Sequence, residues 1–344
     1  MIMEDQDILF FYKNEKNNAN ESNPCFTCYS RKIPEGLNFT KVKIEEDIYF
    51  RFQKCMSKSM TEEILKRNGL VNLSHFMSEG MFRTQTASVP DIMAILNFTP
   101  DSFFTGSRVI NNSQIERARG SGCQFLDIGA ESTRPGSLEV HSNEEIERLK
   151  SAFEMLKDTS NQKISLDSRH YETVSTFIDR IDVINDISGL TDIRLPELAL
   201  KEKKSYVLMH IKGNPTNMNK MTTYTDLRGE MAKFYFEKLR ELSELGLEPE
   251  RIIIDPGIGF SKTGEQNLEI IKNPESFNFG FRRLFGHSRK SFLSIYSKNK
   301  AEDRLPETIA VSIYLAGKGV EILRVHDPVE NINALRYFQL FLTP

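Results

Sequence analysis

The sequence predicts an α/β chain folded as a (β/α)₈ TIM barrel with an N-terminal extension. Three observations carry this prediction. Eight short apolar runs recur from Pro90 onward, amphipathic helical patterns separate them, and nearly every run ends in a polar residue. Strands alternating with helices imply a parallel sheet. The 255 residues from Pro90 to Pro344 match the roughly 250 of such a barrel. An open doubly wound sheet is the competing architecture. No G-x-G-x-x-G follows the first strand, which lowers a dinucleotide-binding reading.

The strands are expected at Ile92–Asn97, Phe125–Gly129, Ile164–Asp167, Val183–Asp186, Tyr206–His210, Ile252–Asp255, Leu284–Gly286 and Ile322–Val325. The seventh is the weakest, because Phe277–Phe285 can be cut in several ways. Helical periodicity marks Asn143–Leu156, Tyr171–Ile181, Leu227–Leu245, Glu307–Gly319 and a closing helix at Val329–Phe341. Asn143, followed by Glu145 and Glu147, reads as a capped helix start with acids near the positive dipole end. Gly246 and Gly319 read as helix terminators.

Residues 1–88 read as an extension of unknown role, partly disordered, and residues 89–344 as the barrel. In the extension, Ile8–Tyr12 and Ile48–Phe52 are possible strands and Met60–Arg67 a possible helix. Asn14–Asn23 is Asn-, Lys- and Glu-rich and reads as loop or disorder. Structural cover is the preferred role. Cys25, Cys28, Cys55 and Cys123 are too few and scattered for a disulfide framework. Cys25-Phe-Thr-Cys28 has the spacing of a metal half-site, but no second pair completes one. Two thiols in a mobile arm is the preferred reading.

The chain has 45 Lys and Arg against 48 Asp and Glu, a formal net charge of −3. That argues against broad binding to nucleic acid but not against a small anion, which needs only a few local donors. No apolar run approaches the roughly 20 residues that span a bilayer. The acidic start, Glu4, Asp5 and Asp7, is unlike a targeting peptide. A soluble, cytoplasmic protein without a membrane partner is expected.

Barrel active sites lie at the C-terminal strand ends. Here those ends supply Asn97, Glu131-Ser-Thr-Arg-Pro-Gly136, Asp167, Asn185-Asp186, Met209-His210, Asp255-Pro-Gly-Ile-Gly-Phe260, Gly286-His-Ser-Arg-Lys-Ser291 and Arg324-Val-His-Asp327. Each alone has a dull explanation: a lone Asp is more often a cap or turn former, and His210 can be a satisfied core histidine. Together they put acids beside cations at one mouth, which a purely structural reading does not explain.

At this point the chain resembles a known family, the dihydropteroate synthases. Ile95-Leu-Asn-Phe-Thr-Pro-Asp-Ser-Phe103, Asp127-Ile-Gly-Ala-Glu-Ser-Thr-Arg-Pro-Gly136, Ile184-Asn-Asp186, Leu208-Met-His210, Asp255–Phe260, Ser288-Arg-Lys-Ser291 and Arg324–Asp327 look like its motifs in order. The resemblance spans roughly Pro90 to Phe341. It implies a transferase of folate biosynthesis that condenses 6-hydroxymethyl-7,8-dihydropterin pyrophosphate with p-aminobenzoate, giving 7,8-dihydropteroate and pyrophosphate. It also implies Mg²⁺, competition by sulfonamides, and a homodimer.

By the same resemblance, Asp167, Asn185, Met209, Asp255 and Lys290 hold the pterin. A carboxylate such as Asp255 accepts two N–H bonds from a guanidine-like edge, and Met209 forms an apolar wall. Asn97, Arg324 and His326 take the pyrophosphate, with Asn97 also the metal ligand. Thr133, Arg134, Pro135, Phe260 and Ser291 shape the p-aminobenzoate pocket, and Asp101 orders the first loop. Asn97, Asp101, Lys290, Arg324 and His326 are therefore the catalytic set. With no protein nucleophile required, leaving-group stabilisation and positioning carry the rate.

Departures from the family pattern are Phe103-Phe104 in the first loop, Ser168-Arg169-His170 after Asp167, and Leu190 in place of a common Gly. Two competing functions share the fold: a pterin- or folate-binding methyltransferase domain, and a non-catalytic pterin-binding paralogue. The N-terminal segment does not resemble the pyrophosphokinase fused to some relatives.

Overall fold

The computed structural model describes residues 7–14, 23–34, 36–84, 86–98, 105–131, 140–157, 161–297 and 300–342, of which 105–112 are described for their backbone only. The chain forms two compact units. One comprises Thr86–Thr222, Arg251–Leu268 and Arg282–Pro344; the other joins Met1–Gln85 to Thr223–Glu250 and Glu269–Phe281.

In the first unit, eight strands close into a parallel barrel. They are β5 (Asp91–Asn97), β6 (Phe125–Gly129), β7 (Lys163–Asp167), β8 (Val183–Asp186), β9 (Ser205–Met209), β10 (Ile252–Asp255), β11 (Arg282–Phe285) and β12 (Ile322–Val325). Closure comes where β12 pairs with β5, Leu323 opposite Ile92 and Arg324 opposite Met93. Every barrel strand expected from the sequence is present within two residues of its expected bounds. The uncertain seventh is Arg282–Phe285, two residues earlier at its start, where Leu284 and Phe285 pair with Ile322 and Leu323.

Helices α3 (Thr105–Ser121), α4 (Ser142–Met155), α5 (Tyr171–Phe177), α6 (Arg194–Lys201), α9 (Ser294–Ser297), α10 (Leu305–Gly317) and α11 (Pro328–Leu342) belong to this unit, and α8 (Gly264–Lys272) starts in it. Asn143 does not cap α4. His141 holds the cap position without a side-chain bond, so Asn143 sits inside the first turn, and only the acids Glu144 and Glu145 answer the dipole there. Among the described residues, no helix is long and apolar enough to cross a membrane.

The second unit is an antiparallel sheet in the order β1-β2-β4-β3, from Ile8–Lys13, Cys25–Ser30, Asp47–Cys55 and Phe39–Ile44. It also contains α1 (Lys58–Arg67), α2 (Ser74–Phe82) and α7 (Leu227–Leu245). Phe11 meets Phe26 and Phe236 edge-on at 5.2 and 5.1 Å, so β1 packs directly on α7. Asp226 caps α7 at the Gly229 N–H and accepts from Tyr29 Oη at 2.7 Å and Arg51 at 3.0 Å. Most of the Asn14–Asn23 stretch lies outside the described residues.

Cys25 and Cys28 are not two thiols of a loose arm. Cys25 and Cys28 lie within β2, and three positions along a strand put their side chains on opposite faces. Cys25 is instead directly opposite Cys55 of β4 and bonded to it, while Cys28 is a buried thiol.

Candidate active site

Period-two alternation builds the site. Met93, Phe125, Val183, Val207, Ile253, Leu284 and Ile322 form one buried apolar cluster in the barrel. Two residues further along a strand, a side chain returns to the same face. Those positions are Ile95, Asp127, Asn185, Met209, Asp255, Gly286 and Arg324. One step of about 7 Å thus converts an oily layer into a charged one. β7 adds Asp167 through its register, in which Gly129 faces Asp167.

Arg324 is the hub. Its Nε donates to Asp127 and its Nη2 to Asp167, each at 2.6 Å. Burial opposes the guanidinium charge, but the two carboxylates outweigh it and hold Arg324 protonated more firmly than usual. Two acids share one cation, and the shortfall appears on Asp167. Burial, then the neighbouring Asp127 charge, pushes its carboxyl up to about 7 against the pull of Arg324. Asn185 donates its amide to both Asp127 oxygens, at 3.2 and 3.4 Å, which leaves its buried carbonyl oxygen without a partner. That oxygen is an acceptor open to a ligand donor.

The loops after β10 and β11 close the other side. Asp255 Oδ1 accepts the Gly257 N–H at 2.7 Å, and burial raises its carboxyl above the usual range. Lys290 Nζ donates to the Ile258 carbonyl and sits 4.7 Å above the Phe260 ring. Burial and the Arg324 charge bring its amine down to about 8, with Asp255 and Asp167 resisting. Met209 and Phe260 share an apolar cluster with Ile187, Ile211 and Met218. A flat ring between an apolar wall and facing carboxylates fits this arrangement.

At the mouth, His326 takes a contact from Ser288 Oγ to its Nδ1 at 3.1 Å, and its pKa is lowered by burial and by Arg324 and Arg289. His326 as a whole residue is exposed. Arg289, at φ +57°, clasps Asp327 through two bonds of 2.8 and 2.6 Å and so ties the β11 loop to the β12 loop. Asn97 ends β5 exposed; a side chain on Gly129 would meet both Asn97 Oδ1 and Asp167 Oδ2 at 3.6 Å, so the two oxygens flank that glycine. The oxygen of Asn97 suits Mg²⁺, a hard cation that takes few protein ligands and keeps waters and phosphate oxygens.

Of the residues singled out from sequence, Asp167, Asn185, Met209, Asp255, Phe260, Lys290, Arg324, His326 and Asn97 lie at this end of the barrel. Asp101, Thr133, Arg134 and Pro135 lie outside the described residues, as do Phe103 and Phe104. Ser291 is exposed and opens only a three-residue 3-10 turn, Ser291–Leu293, whose cap position is Lys290. Arg324 commits Nε and Nη2 to carboxylates, so the fork expected for pyrophosphate is turned inward. His210 is a buried, neutral partner of Lys262. Leu190, which stands where a Gly is common in the family pattern, has a left-handed backbone at φ +61°.

Sequence reading missed Asp127, Lys262 and the Arg289–Asp327 clasp as parts of the site. Asp127 had a usable signal: it stands two residues after a core Phe on its strand, as Asn185 follows Val183 and Arg324 follows Ile322.

Residues 93–326 match the family model described as pterin binding enzyme. The dihydropteroate synthase of Synechocystis is 38% identical over 244 residues, covering 69% of this chain and 84% of the relative. Among solved structures, the Xanthomonas albilineans dihydropteroate synthase with 4-aminobenzoic acid superposes with a TM-score of 0.69 at 29% identity, over 74% of this chain and 94% of that one. The Anaplasma phagocytophilum enzyme with bound 6-hydroxymethylpterin-monophosphate gives 0.67 at 29% identity, over 74% and 99%. With two thirds of its length matched by the family model and by a relative well above 30% identity, this chain belongs to the pterin binding enzyme family, among its dihydropteroate synthases.

Proposed function

We propose that this protein condenses 6-hydroxymethyl-7,8-dihydropterin pyrophosphate with p-aminobenzoate, releasing pyrophosphate and forming 7,8-dihydropteroate. The observation that carries this reading is the charged barrel layer, in which Asp255 and the unsatisfied carbonyl of Asn185 offer acceptors to a ring edge rich in N–H donors.

Asp255, Asn185 and Asp167 hold the pterin edge, Lys290 donates toward its carbonyl side, and Met209 covers one face. Asp167 near 7 keeps a proton close at hand, so it donates as well as accepts when the ligand requires it. Arg324 serves first as counter-ion to Asp127 and Asp167, with its Nη1 edge left for the leaving group. His326 and Asn97 complete the anion site. Asn97 would hold Mg²⁺, which when bound supplies positive charge to the departing phosphates. Carbon–oxygen cleavage leaves a cation on the pterin methylene, beside the carboxylates of the layer. The amine of p-aminobenzoate, held against Phe260, then attacks it, forming the carbon–nitrogen bond and releasing one N–H proton to solvent. The protein positions the groups and supplies electrostatic stabilisation, and no covalent intermediate is needed.

A cytoplasmic homodimer fits this reading. Tyr337, Leu340 and Phe341 are exposed on one side of α11, an apolar strip suited to a second copy. Sulfonamides, as p-aminobenzoate mimics, would compete at Phe260 and Lys290. The test is pyrophosphate release with each substrate alone and with both, with and without Mg²⁺ and a sulfonamide. Release requiring both substrates is expected. Pterin binding without turnover would mark a non-catalytic paralogue, and methyl transfer without pyrophosphate chemistry a methyltransferase.

A further inference from the structure

One buried cation takes no part in that mechanism. Lys262 follows the turn after β10 and folds back beneath it, 7% exposed. Its ammonium donates to the carbonyls of Phe260 at 2.9 Å and Gly257 at 3.1 Å, with the His210 carbonyl at 3.4 Å and His210 Nδ1 at 3.0 Å. Three carbonyl oxygens gathered at one point repel one another unless a cation lies between them. Burial pulls the Lys262 amine well below the usual lysine range, with Asp255 resisting, and such a set of acceptors is what a buried ammonium needs to keep its charge.

The turn so held sets three features of the site. Asp255 takes its N–H bond from Gly257, Ile258 offers its carbonyl to Lys290, and Phe260 lies under the Lys290 amine. The turn also rests on the end of β9: a Cβ on Gly257 would stand 2.1 Å from the His210 carbonyl oxygen.

We propose that Lys262 is a positioning residue of this site, whose ammonium, shared by the turn carbonyls and a neutral His210 ring, fixes the Asp255 carboxylate and the Phe260 ring for the two substrates at once. It touches neither substrate. The proposal rests on the dihydropteroate synthase reading. Burial, then the Lys262 charge, disfavours protonation of His210; a neutral ring with its proton on Nε2 leaves Nδ1 as an acceptor for the ammonium. The cations facing Asp255 are Lys290, Arg324 and Lys262. Those facing His210 are Lys262 and Lys212, and Lys262 itself faces Asp255, Lys290 and Lys212.

Lys262→Met is compared with the full-length wild type by thermal unfolding, calorimetric binding of 6-hydroxymethylpterin, and separate kcat and KM for each substrate. The expected result is a folded protein with pterin Kd and p-aminobenzoate KM each raised about tenfold or more, roughly one charge-assisted bond, and kcat changed much less. The acid limb of pterin binding should move to higher pH, because Asp255 loses a neighbouring positive charge; a merely structural role would not move it. In Lys262→Ala, n-propylammonium should restore binding saturably, and it should do nothing for Asp255→Asn. A folded Lys262→Met with wild-type constants and acid limb overturns the proposal. If that variant does not fold, refolding Lys262→Ala with n-propylammonium decides, and absence of saturable recovery overturns it. A wild-type protein that binds pterin without turnover sinks the functional reading alone; one that binds no pterin sinks both.

Discussion

Arg324 of β12 and Asp127 of β6 are joined at 2.6 Å, and Asp127 is wholly buried. The pair links strands separated in the barrel by β5 alone, and it aims the remaining guanidinium at Asp167. Removing one partner of a buried ion pair typically costs about 3–5 kcal/mol, because the other charge is left uncompensated. Here Asp167 still faces Arg324, so Asp127→Ala is expected at the low end, about 3 kcal/mol by urea unfolding. Asn185 loses its acceptor as well, so kcat/KM should fall on the order of a hundredfold, some 2.7 kcal/mol of transition-state stabilisation. Asp127→Asn, which keeps the shape, should fold better and still be slow. Wild-type kcat/KM in either variant would remove Asp127 from the site.

Lys290 gives the activity an alkaline limb. Its amine titrates near 8, below the ordinary lysine range, because burial and Arg324 disfavour the charge. The charged form is the donor to the pterin, so kcat/KM should decline above about pH 8. That profile reports the free enzyme. Lys290→Arg keeps the charge at all accessible pH values and should lose the limb, at a lower plateau caused by its different shape. An unchanged limb in Lys290→Arg assigns it to another group.

Asp167 makes a linked prediction about stability. Its folded-state value is about 7 against roughly 3.9 unfolded. Between those values the folded chain binds the extra proton. The stability this contributes is therefore complete below about pH 4 and is lost as pH rises through 7. Asp255, Asp186 and Glu145 are raised in the same sense by burial, so one variant removes only part of the slope. Asp167→Asn should narrow the fall in urea midpoint between pH 6 and pH 8 relative to wild type. Parallel midpoints in the two proteins across that range would show that Asp167 does not titrate there, and the prediction would fail.

How far these features were legible in the sequence follows from their physics. The eight strands were readable because parallel barrel strands, covered on both sides, are short continuous apolar runs. Their polar ends were readable because the charged layer comes at the last residues, as at Asp167, Asn185 and Asp255. Lys262 was not readable, since its partners are backbone carbonyls of residues 210, 257 and 260, and backbone acceptors carry no sequence signature. Asp127 fell in mid-strand between apolar residues, where a strand-end rule does not look. In the N-terminal segment, β3 (Phe39–Ile44) alternates lysines on an exposed edge, a device that blunts edge strands and also hides them from apolar counting. The Cys25–Cys55 bond depends on the register of β2 against β4, which no spacing rule supplies.

Two glycines with the same sign of φ separate backbone strain from steric conflict. Gly246 ends α7 at φ +88° with open space where a Cβ would be, whereas Gly257, at φ +66°, faces the His210 carbonyl at 2.1 Å. Gly246→Ala pays only the left-handed penalty, about 1–2 kcal/mol. Gly257→Ala adds a clash with backbone that cannot rotate aside, so the turn must leave Lys262 and take Asp255 with it. Its loss should exceed 3 kcal/mol, with pterin binding abolished, while Gly246→Ala should bind pterin as the wild type does. Equal unfolding midpoints for the two variants would mean that the turn rests loosely on β9, and the account of the site floor would fail with it.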